Sequence, residues 1–233
     1  MKRPKQRSRA GFTLVELLVV ILIITILLTI GAAGFRNAGG KGVSTALPST
    51  EAIFDEARSV AVGKGTRSRV LIDVDDPDSE SNYLRRMFVV YEETDDNGEP
   101  IENSWKLASK AYIFPPKTYF SRVYSKKNHR AGSGELENMT LSGVSGLYNS
   151  DGDGYLYYEF NAEGICTTGL TGTDYNAPSF VIGNGARARG SLEPRTTSDG
   201  RRDFGGFVIW RNGATSVFRN PTQIIGSESP TEF

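Results

Sequence analysis

The chain has 233 residues, 38% hydrophobic and 23% charged, with 27 basic and 27 acidic side chains and a formal net charge of zero. Such a composition suits one folded domain plus an anchor and excludes a chain disordered throughout. The neutrality hides an asymmetry: Lys2, Arg3, Lys5, Arg7 and Arg9 precede the first apolar run with no acid among them, and the remainder holds 22 basic against 27 acidic groups, a net of −5 that speaks against general nucleic-acid binding.

From Phe12 to Ala33 run 22 residues with one ionisable group, Glu16. As a helix rising ~1.5 Å per residue they would reach roughly 33 Å, enough to cross a membrane. The five cations ahead of them should hold the N-terminus in the cytoplasm and send the rest of the chain to the outer side. A secretory signal peptide, with Ala32 and Ala33 at its cleavage site, is disfavoured by the length of the run and by a carboxylate near its start. A plain single-pass anchor fits the length but leaves Glu16 without a role, and a carboxylate in hydrocarbon costs a few kcal/mol.

The string Arg9-Ala10-Gly11-Phe12-Thr13-Leu14-Val15-Glu16-Leu17-Leu18 explains that acid. A basic leader ending in Gly11, Phe12 directly after it, Glu16 as the fifth mature residue and an unbroken apolar run together resemble the cleavage and methylation motif of type IV pilins and type II secretion pseudopilins. The resemblance implies that a prepilin peptidase cuts between Gly11 and Phe12 and methylates the new amino group of Phe12. It implies further partners: other pilin or pseudopilin subunits, an inner-membrane assembly platform and membrane lipid, with no nucleic acid predicted. Gly11, having no side chain, lets an extended backbone enter a tight protease cleft. Glu16 would pair with the terminal ammonium of a neighbouring subunit, each relieving the other's buried charge.

Beyond the anchor, Gly39-Gly40-Lys41-Gly42 reads as a flexible break. Pro48-Ser49-Thr50 then leads into an amphipathic helix from Glu51 to Val62, with Ile53, Ala57, Val60 and Ala61 on one face and Gly63 and Gly65 ending it. Strands are expected at Ser68 to Val74, Tyr83 to Tyr91, Trp105 to Phe114, Thr118 to Tyr124, Tyr155 to Phe160, Ser179 to Ile182, Phe207 to Trp210 and Thr215 to Phe218. Asn212-Gly213 marks a hairpin between the last two. The fold class is therefore α+β, an N-terminal transmembrane and amphipathic helix packed on a mainly antiparallel sheet or pair of sheets. Its parts are a basic leader (1–11), an assembly helix (12–33), the break and second helix (34–65) and a periplasmic β-rich domain (66–233).

The passage Phe54 to Ala61 followed by Gly63 and a strand, the run Phe160-Asn161-Ala162-Glu163-Gly164 and the C-terminal hairpin resemble H-type minor pseudopilins and FimT-like minor pilins. Ala33 stands where many major pilins carry a helix-kinking Pro, and the single cysteine, Cys166, cannot close a C-terminal disulfide loop. Both departures point to a minor subunit. Cys166 itself reads as a small core residue.

Asn149, Asp151 and Asp153, with Gly154 in the sixth place and the Tyr155 carbonyl after it, resemble the start of a calcium loop. The closing acid is out of register, because Glu159 falls one short of the twelfth position. A hairpin turn at Asp153-Gly154 is the simpler reading, with Ca2+ as the alternative; no other cofactor is expected. The acidic stretches Asp73 to Glu80 and Glu92 to Glu102 read as solvated loops, and Arg187, Arg189, Arg195, Arg201 and Arg202 as a basic loop among glycines. No catalytic residue is assigned: His129, the only histidine, sits among cations with no nucleophile at a recognisable spacing, and no zinc, Walker or dinucleotide motif occurs. The expectation is a non-enzymatic filament subunit. The alternatives are an anchored extracytoplasmic binding domain that never polymerises and, further off, a membrane-anchored carboxylate hydrolase.

Overall fold

The computed structural model describes residues 14–37, 42–141, 144, 153–197, 203–219 and 223, with residues 26–37 and 153 described in backbone only. The chain divides into two compact units, 1–39 and 40–233. The first unit contains one helix, α1 (Leu14–Asn37).

The second unit is built on α2 (Gly42–Lys64), which starts well before the expected Glu51 and carries Pro48 inside it. The Pro48-Ser49-Thr50 stretch was expected to precede the helix, and Pro48 cannot donate to the helical ladder. Packing overrides that preference: Val43, Ala46, Leu47, Thr50, Phe54, Ala57 and Ala61 are all buried and recur at three- and four-residue intervals, making one continuous stripe. Gly42, the last residue of the expected break, opens this helix; Gly39, Gly40 and Lys41 lie outside the described residues. Gly65, at φ 66°, closes it in a left-handed conformation that a Cβ would disfavour.

The strands in chain order are β1 (Ser68–Asp73), β2 (Arg86–Thr94), β3 (Pro100–Leu107), β4 (Tyr112–Ile113), β5 (Thr118–Phe120), β6 (Glu137–Leu141), β7 (Asp153–Phe160), β8 (Leu170–Thr171), β9 (Asp174–Tyr175), β10 (Ser179–Ala186), β11 (Arg195–Thr196), β12 (Phe204–Ile209) and β13 (Thr215–Phe218). They form two antiparallel sheets and a small β8–β9 ribbon. The first sheet runs β3-β2-β1-β7-β6, with β4 also on β2; the second runs β11-β10-β12-β13, with β5 also on β10. The fold is thus α+β and mainly antiparallel, as expected.

Alternation along the central strands decides what lies on each face. Val70 and Ile72 of β1, Met87 and Val89 of β2, and Leu156, Tyr158 and Phe160 of β7 join the α2 stripe in the main core. Leu71, Phe88, Val90 and Tyr155, one residue out of phase, join Trp105 in a second core on the opposite face. Phe180, Ile182, Phe207 and Ile209 bring the second sheet to the same helix.

Phe54 stands where these surfaces meet. Its ring meets Tyr158 and Phe160 of the first sheet edge-on at 5.1 and 6.4 Å, and Phe180 and Phe207 of the second at 5.3 and 5.0 Å. Two buried hydrogen bonds reinforce the junction: the Tyr158 hydroxyl donates to the Ser179 carbonyl at 2.6 Å, and the Ser68 hydroxyl to the Ala57 carbonyl at 2.6 Å. Cys166 is buried in this core, as expected of a lone thiol.

Several expected strands are redrawn. Trp105 to Phe114 is not one strand, because β3 and β4 take successive stretches of the same β2 edge, Leu107 opposite Val90 and Tyr112 opposite Met87. Thr118 to Tyr124 stops at Phe120, where the Ser121 hydroxyl accepts the Tyr124 N–H at 3.2 Å and turns the chain. Asp153 and Gly154 are not a turn but the first residues of β7, opposite Leu141 and Thr140.

Truncating Phe54 to Ala should cost about 3–5 kcal/mol, since it empties the contact shared by both sheets. Urea denaturation followed by circular dichroism measures this, and a loss below about 1 kcal/mol would mean the sheets are joined elsewhere.

Candidate functional site

The N-terminal motif begins outside the described residues: Gly11 and Phe12 both precede Leu14. Glu16 lies in the first turn of α1, which favours a carboxylate through the helix dipole. Around it Leu14, Val15, Leu17, Leu18, Val19 and Val20 are exposed by between 46% and 81%. Apolar side chains facing outward on every side of a helix need lipid or other helices to cover them. Among the described residues no helix is long and apolar enough to cross a membrane. The described side chains of α1 end at Thr25, so they account for about 18 Å of helix against ~30 Å of hydrocarbon.

On the outer face of the first sheet, two charged residues of β1's edge of the core organise a polar array. Arg69 stands over two aromatic rings, its guanidinium carbon 4.4 Å from the Trp105 centroid and 4.1 Å from that of Tyr157. It also donates Nε to Glu159 at 2.8 Å. Arg67 donates in a fork to Glu92, at 2.9 and 2.5 Å. Tyr157 donates its hydroxyl to Glu137, which Lys127 also holds at 2.5 Å. Burial, then the bond to Glu137, pushes the Tyr157 phenol up to about 12, so it stays protonated and donating. Glu137 is held below the usual carboxylate range, first by Lys127 and then by Tyr157. Cations, anions and rings satisfy one another across five strands, β3-β2-β1-β7-β6, which makes the face a structural seam.

A second buried pair closes the far end of the same sheet. Arg86 meets Asp73 at 2.6 Å, and burial raises the Asp73 carboxyl while Arg86 opposes the shift. Asp73 and Glu92, expected in solvated acidic loops, are thus both buried in ion pairs. Arg187, expected in a basic loop, follows β10 and clamps the loop before β2, donating to the carbonyls of Pro77 and Ser79 at 2.5 and 2.7 Å.

The second sheet's outer face carries a groove of about 770 Å³ lined by His129, Arg130, Tyr175, Asn176, Val208 and Trp210. His129 stacks on Phe218 with centroids 5.7 Å apart and planes at 19°. Trp210, 49% exposed, is held by its Nε1 donating to the Ser216 hydroxyl at 2.7 Å. No sequence pattern marks this groove, because its walls come from three separate stretches, 128–131, 175–177 and 208–210.

Of the calcium-loop residues, Asn149 and Asp151 lie outside the described residues, and Asp153 and Tyr155 open β7. Tyr155 is fully buried, its ring edge-on to Phe88 at 5.3 Å. Glu159 sits farther along the same extended strand, about 13 Å beyond Tyr155, with its carboxylate engaged by Arg69. Tyr155 and Glu159 are therefore not brought together around one ion. Among the described residues no group of three or more His, Cys, Asp or Glu side chains could hold a metal.

Comparison with known proteins bears on the N-terminal run. Residues 6–32 match the family model of the prokaryotic N-terminal methylation motif. The chain carries a prepilin-type N-terminus. Two solved structures are similar to it over most of its length: the minor pseudopilin EpsH from the type 2 secretion system of Vibrio cholerae, at 10% identity and TM-score 0.43, covering 77% of this chain and 97% of that one, and the type IV minor pilin FimU of Pseudomonas aeruginosa, at 11% identity and TM-score 0.37, covering 84% and 96%. No curated protein matches the chain.

Two outcomes follow from this geometry. Arg69→Lys keeps the charge but loses the planar group over the rings, and should lower unfolding free energy by about 1–2 kcal/mol, read in urea. Burial lowers the His129 pKa below its ordinary value, so the fold favours the neutral ring. Above that ordinary value, near 6.5, His129 contributes no pH dependence; as pH falls through it, the unfolded chain binds the proton first and stability drops. Melting temperatures between pH 8 and pH 5 should therefore fall less in His129→Phe than in the parent protein.

Proposed function

We propose that this chain is a non-enzymatic, minor subunit of a pilin- or pseudopilin-type filament, rooted in the inner membrane by its N-terminal helix. The observation that carries the reading is the methylation-motif match at residues 6–32. Its physical counterpart is α1, whose apolar side chains face outward with Glu16 in the first turn.

In this reading prepilin peptidase cuts after Gly11 and methylates Phe12. The cut removes the cationic leader and leaves the apolar helix in place, so the product stays anchored with its β-rich domain on the periplasmic side. The new ammonium at Phe12 and the carboxylate of Glu16 then carry opposite charges four residues apart in the sequence. Pairing Glu16 with the Phe12 ammonium of an adjacent subunit fixes the axial stagger between helices. The pair adds little net stability, but removing one member leaves a buried charge uncompensated. The two-sheet domain displays its surfaces to partners, while the helix supplies the packing common to the assembly.

Mass spectrometry of the protein from its native membrane should find a chain beginning at N-methylated Phe12; a start near Gly34 would mean that signal peptidase removes the run. Glu16→Ala should be cut and inserted normally, while its neighbour-to-neighbour cross-links fall by about tenfold or more. Unchanged cross-linking would sink the pairing. Cross-links absent from the parent protein as well would identify an anchored domain that does not polymerise.

A further inference from the structure

The groove on the outer face of the second sheet has an apolar floor, Val208 of β12 and Trp210 just beyond it with Tyr175 of β9. On its polar rim both side-chain amide oxygens are engaged, Asn128 Oδ1 accepting the Ala131 N–H at 3.0 Å and Asn176 Oδ1 accepting from Asn128 Nδ2 at 3.1 Å. The rim's charged group is a donor, the exposed guanidinium of Arg130, which has no ion-pair partner among the described residues. Donors around an apolar floor suit a segment that brings apolar side chains together with carboxylates or carbonyls and no cation of its own.

The chain's own continuation has that chemistry. After Arg219 the segment Asn220 to Phe233 contains Ile224, Ile225, Glu228 and Glu232 and no Lys or Arg. It also starts in the right place. β13 ends at Phe218, whose ring stacks on His129 of the groove's lining. Phe218 lies opposite Gly206, four residues from Trp210 and so about 13 Å away along β12. Six residues separate Phe218 from Ile224, a reach of up to ~20 Å, and Asn220-Pro221 is the kind of pair that reverses a chain.

We infer that the groove is the docking site of residues 220–233 of the same chain, with Ile224 and Ile225 on the Val208–Trp210 floor and the acids toward Arg130. This inference stands apart from the filament reading, since it concerns only the second sheet.

The test uses the full chain in detergent and acrylamide quenching of tryptophan fluorescence. The protein has two tryptophans, and Trp105 is 7% exposed beneath the arginine array, so quenching reports mainly on Trp210. I224D/I225D should raise the quenching constant about twofold, and a W210F background should remove the difference. The protection in the parent chain should not change on tenfold dilution. As a second measurement, A131C/I225C should form a cross-link within one chain under mild oxidation. Equal quenching in parent and I224D/I225D would overturn the proposal, as would no cross-link within the chain. Protection that weakens on dilution, or cross-links only between chains, would also overturn it in favour of a second copy supplying the segment.

Discussion

The second compact unit depends on one aromatic side chain reaching two sheets. Phe54 touches β7 on one side and β10 and β12 on the other, so the sheets need not hydrogen-bond to each other along an edge. Both are bound to α2 instead. This explains why the helix is longer than its local sequence suggests: Val43, Ala46 and Leu47 extend the buried stripe through Pro48, and their burial outweighs the ladder bond the proline cannot make. It also explains the close approach of β12 to the helix, where a Cβ at Gly205 would lie 3.2 Å from Val43 Cγ1 and 3.3 Å from Leu47 Cδ2.

Much of this was legible in the sequence, for identifiable reasons. Strands buried on at least one face, such as β1, β7 and β10, announce themselves by runs of Val, Leu, Ile, Tyr and Phe bounded by turns. Edge strands do so only where a turn signal marks them, as Asn212-Gly213 marks β13. β6, with the sequence Glu137-Asn138-Met139-Thr140-Leu141, exposes most of its side chains and has no apolar alternation to read. The first half of β3 is exposed and polar in the same way. The Pro48 region was misread because propensity is local while the stripe that overrides it is tertiary.

The sites divide along a similar line. The N-terminal motif is contiguous, so Gly11, Phe12 and Glu16 could be named from sequence, and the family-model match covers that stretch. The arginine array and the groove are assembled from residues up to 90 positions apart, as with Arg69 and Glu159, and no spacing rule reveals them. Conversely, acids that look alike in sequence separate in space: Asp73 and Glu92 are buried with arginines, whereas Asp95 stays at a hairpin tip, its oxygen accepting the N–H groups of Asn97 and Glu99 at 2.8 Å.

Each sheet is secured to α2 by its inner face, and the two outer faces carry different surfaces, the arginine array on one and the His129–Trp210 groove on the other. They meet in a single loop: Lys127 holds Glu137 of the array, and the next four residues, Asn128 to Ala131, line the groove. Variation at Trp105 or at Trp210 therefore rewrites one surface, whereas variation in that loop changes both at once.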